Sequence, residues 1–170
     1  VRPRPVSPPA IAFVDLTGFT QLAEERGDQA AASLAMQLAT LAEEVARRHA
    51  GRVVKLLGDG VLLRFNGAVA AAEASLELLK ALSTAGLPRG HVGVDAGPLV
   101  MREGDIFGRT VNLASRLSDC AEPGEVLVSE TVAMALPRAH FRCEPKGSVD
   151  LQGIARPIKV FAASPATETA

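Results

Sequence analysis

The chain has 170 residues, nearly half of them apolar, with 18 Lys and Arg against 19 Asp and Glu. That length and apolar content fit one domain with a full hydrophobic core and argue against an intrinsically disordered chain. The balanced charge gives no basic excess for nucleic acid, and the absence of Trp and Tyr argues against aromatic base-stacking platforms.

The first nine residues, VRPRPVSPP, read as a Pro-rich extended linker, one that an upstream regulatory domain could precede. Ala10 to Leu16 (AIAFVDL) is a short apolar run stopped by Thr17 and Gly18, the pattern of a buried strand. Thr17, Gly18, Phe19 and Thr20 then make a tight turn whose backbone N–H groups, with the helix start, can face a phosphate. The plainer reading is that Gly18 only permits the turn and Phe19 only packs. A long helix follows, with Leu34, Leu38, Leu41 and Val45 on one face. Asp28 suits its N-cap, Arg47 and Arg48 its last turn, and Gly51 the position after its end.

Two apolar runs, Val53 to Leu57 and Val61 to Phe65, flank Gly58-Asp59-Gly60, a strong hairpin signal. Ala68 to Leu82 reads as a second helix, Gly86 to Gly90 as a loop and His91 to Val100 as a fourth strand. The segment DIFGRTVNLASRL, Asp105 to Leu117, reads as a turn running into a helix from about Thr110. Asn112 and Arg116 lie four apart there, on one face, and Leu113 and Leu117 share that spacing toward a core. An amide beside a guanidinium is suited to gripping an anion. A strand at Val126 to Ser129, a short helix and strands near Phe141 and Ile158 complete the pattern, before a frayed tail over residues 164–170.

Cys120 and Cys143 form no C-x-x-C pair and fit a reduced, cytoplasmic protein. The small-apolar run from Ala30 to Ala42 is too short and too polar to span a membrane, and no signal peptide is visible. His140 and Cys143 lack a second ligand pair for zinc, and His49 and His91 read as structural.

The order β-α-β-β-α-β predicts an α+β, ferredoxin-like palm-type sheet with a C-terminal elaboration. In that topology the end of the first strand lies beside the apex of the hairpin, so Asp15 and Asp59 converge at one sheet edge. Adjacent carboxylates repel unless one protonates or a cation joins them, and oxygen-only ligands suit Mg²⁺ or Mn²⁺. Read alone, Asp59 is an ordinary turn residue; the topology tips the pair toward metal.

FVDLTGFT, KLLGDGVLLRF and DIFGRTVNLASRL, in that order and spacing, resemble the class III nucleotidyl cyclase catalytic domain of the bacterial adenylyl cyclase type. The resemblance runs from about Ala10 to Phe161 and implies the class III cyclase fold, with the catalytic domain over residues 10–163. It implies a head-to-tail homodimer with two shared active sites and two Mg²⁺ or Mn²⁺ ions in each. Asp15, Asp59 and the carbonyl of Leu16 would bind metal. The partner subunit would supply Lys55 and Asp105 to the base, Asn112 to the ribose and Arg116 to the transition state. The implied reaction is conversion of ATP to 3′,5′-cyclic AMP and pyrophosphate.

Lys only donates and ionised Asp only accepts, so Lys55 and Asp105 complement adenine; guanine would leave two mismatches, each costing roughly 1–3 kcal/mol. Related guanylyl cyclases carry an acid where Lys55 stands. One departure is Gln152, where the family often has a lysine toward the terminal phosphates; Arg52, Arg109 or Lys159 are candidates to compensate. The alternatives are a cyclase-like nucleotide-binding or dimerisation module with little turnover, and a guanylyl cyclase. A diguanylate cyclase would need a GG[DE]EF hairpin motif, which this sequence lacks.

Overall fold

The computed structural model describes residues 6–167; residues 1–5 of the expected linker and 168–170 of the expected tail lie outside the described residues. Strands β1 (Ala10–Leu16), β2 (Arg52–Leu57), β3 (Gly60–Phe65), β4 (Gly90–Ala96), β7 (Val126–Ser129), β8 (Phe141–Val149) and β9 (Ile158–Pro165) form one sheet. Its order is β2-β3-β1-β4-β7-β9-β8. The first four strands are antiparallel to their neighbours, and β7 joins β4 in parallel. This is the split β-α-β arrangement expected from the sequence, with β7, β9 and β8 as the elaborated edge.

Alternation along β1 separates two layers. Ala10, Ala12, Val14 and Leu16 point into the core formed with α2 (Asp28–Arg48) and α3 (Ala68–Thr84), where Leu38, Val45, Leu78 and Leu82 are buried. Ile11 and Phe13 point to the other side, against Ile106 and Ala114, where α4 (Arg109–Cys120) lies. Asp15 shares this α4 side. At Gly93 of β4 a Cβ would collide with the backbone of Ala114 and Ser118, so helix and strand meet without a side chain between them.

Three local expectations change. A separate helix α1 (Phe19–Arg26) precedes the long one. Gly27, at φ 87°, breaks between them and stands at the N-cap, so Asp28 is the first helical residue, where its charge still favours the helix N-terminus. The fourth strand stops at Ala96 rather than Val100, because Gly97 and Pro98 follow and the Gly97 N–H turns to the carbonyl of Pro9 at 3.0 Å. Val100–Arg102 (β5) and Asp105–Phe107 (β6) then form their own hairpin. Its turn residues Glu103 and Gly104 both have positive φ, 52° and 79°. A Glu at such a position is a weak sequence signal compared with Asn or Asp, so the residue pattern does not announce the hairpin. A short helix, α5 (Glu130–Ala135), precedes β8, and β9 pairs with β8 as far as Pro165. Among the described residues no helix is long and apolar enough to cross a membrane.

Candidate active site

The sheet brings Asp15 and Asp59 together. Asp15 stands opposite Gly60 in the β1–β3 pairing, and the Leu16 N–H donates to the carbonyl of Asp59 at 3.1 Å. A Cβ on Gly60 would collide with Oδ1 of Asp15. On the other carboxylate oxygen, Oδ2, the Ser118 hydroxyl donates at 3.3 Å. Burial, and after it the nearby Asp59 carboxylate, push the Asp15 carboxyl above its ordinary value, against the lowering effects of His91 and Ser118.

A half-buried carboxyl destabilised by a second carboxyl is an arrangement that a divalent cation relieves. The oxygen-only donor set, two carboxylates and the carbonyl of Leu16, fits Mg²⁺ or Mn²⁺. Among the described residues no group of three or more His, Cys, Asp or Glu is arranged to hold a metal by itself, so phosphate or water oxygens would complete the shell. The hydroxyl of Thr17, next in sequence, is buried and has no hydrogen-bond partner among the described residues.

A pH effect follows with a definite sign. Folded Asp15 keeps its proton to higher pH than the unfolded chain, whose reference value is 3.8. In metal-free buffer its contribution to stability therefore falls as pH rises from that value through the folded one. Mn²⁺ held by Asp15 and Asp59 would favour the ionised folded form and offset the loss. Relative to Asp15→Asn, the melting temperature of the unsubstituted protein should drop across this window without metal. Its Mn²⁺-dependent rise should appear over the same window; melts from about pH 4 to 8 with and without Mn²⁺ measure both.

The remaining motif residues fall in three places. Gly18, at φ 71°, occupies the N-cap of α1, Phe19 packs onto the core, and Thr20 is exposed. Lys55 on β2 and Asp105 on β6 meet directly, Nζ to Oδ2 at 2.9 Å. The Ile106 N–H donates to the other Asp105 oxygen at 2.8 Å. The Lys55 hydrogen bond holds the Asp105 carboxyl below its ordinary value. Asp105 is thus a strand residue, not part of a turn before the helix. Asn112 and Arg116 are exposed on α4 and make no side-chain hydrogen bond or ion pair among the described residues, while Leu113 and Leu117 are buried beneath them.

Gln152 is exposed in the β8–β9 connection. Of its candidate substitutes, Arg52 is exposed at the start of β2, Lys159 pairs with Glu130 at 4.0 Å, and Arg109 lies close enough to Asp95 to act on its charge.

Two buried polar groups carry no clear signal in a motif of the sequence. Ser118 is fully buried and links α4 to Asp15. Asp95, also buried, accepts from the Ser129 hydroxyl at 2.7 Å, and burial raises its carboxyl. An acid inside the apolar run HVGVDA was a readable signal for Asp95; nothing in the sequence marked Ser118.

A split β-α-β sheet with paired acids at one edge and an Asn-Arg helix beside it is the architecture of a nucleotide cyclase domain. The chain belongs to the adenylate and guanylate cyclase catalytic domain family, whose model matches residues 1–164. An adenylate cyclase of Streptomyces griseus is 39% identical over 131 residues, 76% of this chain and 33% of that protein. The chain thus spans about a third of the length of the curated relatives it matches. The solved adenylate/guanylate cyclase/hydrolase of Silicibacter pomeroyi is 29% identical, with TM-score 0.77 over 94% of this chain and 97% of that one. The adenylyl cyclase CyaB of P. aeruginosa shares the fold at TM-score 0.82 and 24% identity, over 94% and 95% of the two chains.

Proposed function

We propose that this domain is an adenylyl cyclase, converting ATP to 3′,5′-cyclic AMP and pyrophosphate at two shared sites of a head-to-tail homodimer. Each site would take two Mg²⁺ or Mn²⁺ ions. The observation that carries the shared site is the orientation of α4. Ser118 turns inward to Asp15 of its own chain. Residues two apart on a helix do not share a face, so exposed Arg116 projects away from that carboxylate. A guanidinium so placed serves metals held by a second chain. Exposed Leu56, Val100, Met101 and Phe107, on β2 and the β5–β6 hairpin beside Lys55 and Asp105, are apolar surface for that partner to cover.

In the reaction the ribose 3′-hydroxyl gives its proton to water, its oxygen attacks the α-phosphorus, the bond to the bridging oxygen of the β-phosphate breaks, and pyrophosphate leaves. Asp15, Asp59 and the Leu16 carbonyl would hold the ions, which supply Lewis-acid activation of the 3′-hydroxyl and charge neutralisation when bound. Asn112 orients the ribose, Arg116 stabilises charge on the transferring phosphoryl group, and the amides of the Gly18 turn face the phosphates. Lys55 donates to adenine N1 and Asp105 accepts from N6, and their mutual hydrogen bond holds both ready. A second reading, a nucleotide-binding module with little turnover, draws on Gln152, a neutral amide where the family often has a lysine.

Incubating the dimer with Mn²⁺ and either ATP or GTP tests the reading: cyclic AMP should dominate. Exchanging the pair as Lys55→Glu with Asp105→Lys keeps the ion pair but reverses donor and acceptor, and should shift preference toward GTP by roughly 10²-fold. No cyclic product from a verified dimer would overturn the assignment.

A further inference from the structure

We propose that Ser118 is a positioning residue for Asp15, so that α4 secures a metal-binding carboxylate of its own chain while presenting Asn112 and Arg116 to its partner's. This rests on the shared-site reading above and adds a residue to it.

Among the described residues two fully buried serines lie on helices, and they behave differently. Ser75 on α3 bonds back to its own helix, donating to the carbonyl of Ala71 at 2.6 Å, the ordinary habit of a helical serine. Ser118 instead reaches across to the sheet. Its hydroxyl lies 3.3 Å from Asp15 Oδ2, 3.3 Å from the carbonyl of His91 and 3.5 Å from His91 Nδ1. One hydroxyl proton cannot serve all three. The ring nitrogen is engaged elsewhere, 2.7 Å from the carbonyl of Ser118 itself, which requires Nδ1 to carry the proton. Of the two remaining acceptors, an ionised carboxylate is the stronger.

The close approach of α4 to Gly93 fixes where Ser118 sits, and His91 stands opposite Asp15 in the β1–β4 pairing. Asp15 Oδ1 thus occupies the space that the missing side chain of Gly60 leaves open, while Ser118 holds Oδ2. A ligand oriented in this way binds metal without first losing side-chain freedom.

Ser118→Ala removes one oxygen and leaves a good helix former, so the fold persists. Mn²⁺ binding, read from the free-ion EPR signal in the presence of a non-cyclising ATP analogue, should weaken roughly 10- to 100-fold. A merely structural serine would lower the melting temperature in metal-free buffer and leave Mn²⁺ binding unchanged, which would overturn the proposal.

Placement is tested in heterodimers of an Asp15→Ala chain with an Arg116→Ala chain, where one shared site remains whole. Ser118→Ala added to the Arg116→Ala chain, which gives that site its aspartates, should raise the half-saturating Mn²⁺ concentration by the same factor. Added to the other chain, it should not. An equal effect from either chain overturns the proposal. If the heterodimers stay inactive, the shared-site reading falls instead, and Mn²⁺ binding by Ser118→Ala alone decides the role of Ser118.

Discussion

Replacing Gly60 with alanine is expected to reduce cyclase turnover by about 10²-fold or more while the domain still folds. Gly60 is buried at the start of β3, directly opposite Asp15. A Cβ there would collide with Asp15 Oδ1 and stand 3.2 Å from the carbonyl of Val14. The side chain yields before the backbone does, so the carboxylate must rotate away from its present position and from the Ser118 hydroxyl. Displacing a metal ligand by about 1 Å is enough for a loss of that size, whereas overpacking at one strand end costs about 1–3 kcal/mol of stability.

Gly58 in the same turn supplies the contrast. It has φ 66° and nothing within 4 Å of an added Cβ. Gly58→Ala is therefore strained by roughly 1–2 kcal/mol but crowds no ligand. Gly58→Ala should lose melting temperature more than turnover, and Gly60→Ala the reverse. Steady-state kinetics with Mn²⁺ and ATP, alongside thermal melts, separate them. Wild-type turnover in Gly60→Ala would mean that the position of Asp15 does not matter to the reaction.

Asp15→Ala and Arg116→Ala should each lose roughly 10³-fold or more in turnover, and mixing the two proteins should restore activity. The recovery follows from the inward turn of Ser118 and the outward projection of Arg116 on one helix. A chain lacking its carboxylate still offers a sound guanidinium, and the reverse holds for its partner. Random pairing makes about half the dimers mixed, each with one whole site of two, so about a quarter of wild-type activity should return. Turnover of the mixture against each parent, with subunit exchange verified, gives the measurement. If exchange occurs and no activity returns, each chain must build its site alone.

Much of this site was legible in the sequence because it depends on local geometry. The apolar run ending at Asp15, the Gly58-Asp59-Gly60 hairpin and the four-residue spacing of Asn112 and Arg116 each follow from strand, turn or helix periodicity. The element order then dictated that Asp15 and Asp59 share one edge, since a split β-α-β unit allows one arrangement of its strands. The β5–β6 hairpin was hidden because Glu103 adopts positive φ, which its residue type does not advertise.

The residues alone put Asp15 and Asp59 at the same end of a split β-α-β sheet, because strand alternation and turn residues are read within a few positions. Which groups touch depends on tertiary packing. Lys55 meets Asp105 across 50 residues of chain, and Ser118 meets Asp15 across 103. Those contacts depend on how closely α4 and the small hairpin press against the sheet, which is set by missing side chains such as that of Gly93 and by packing between distant segments. No local pattern encodes such distances.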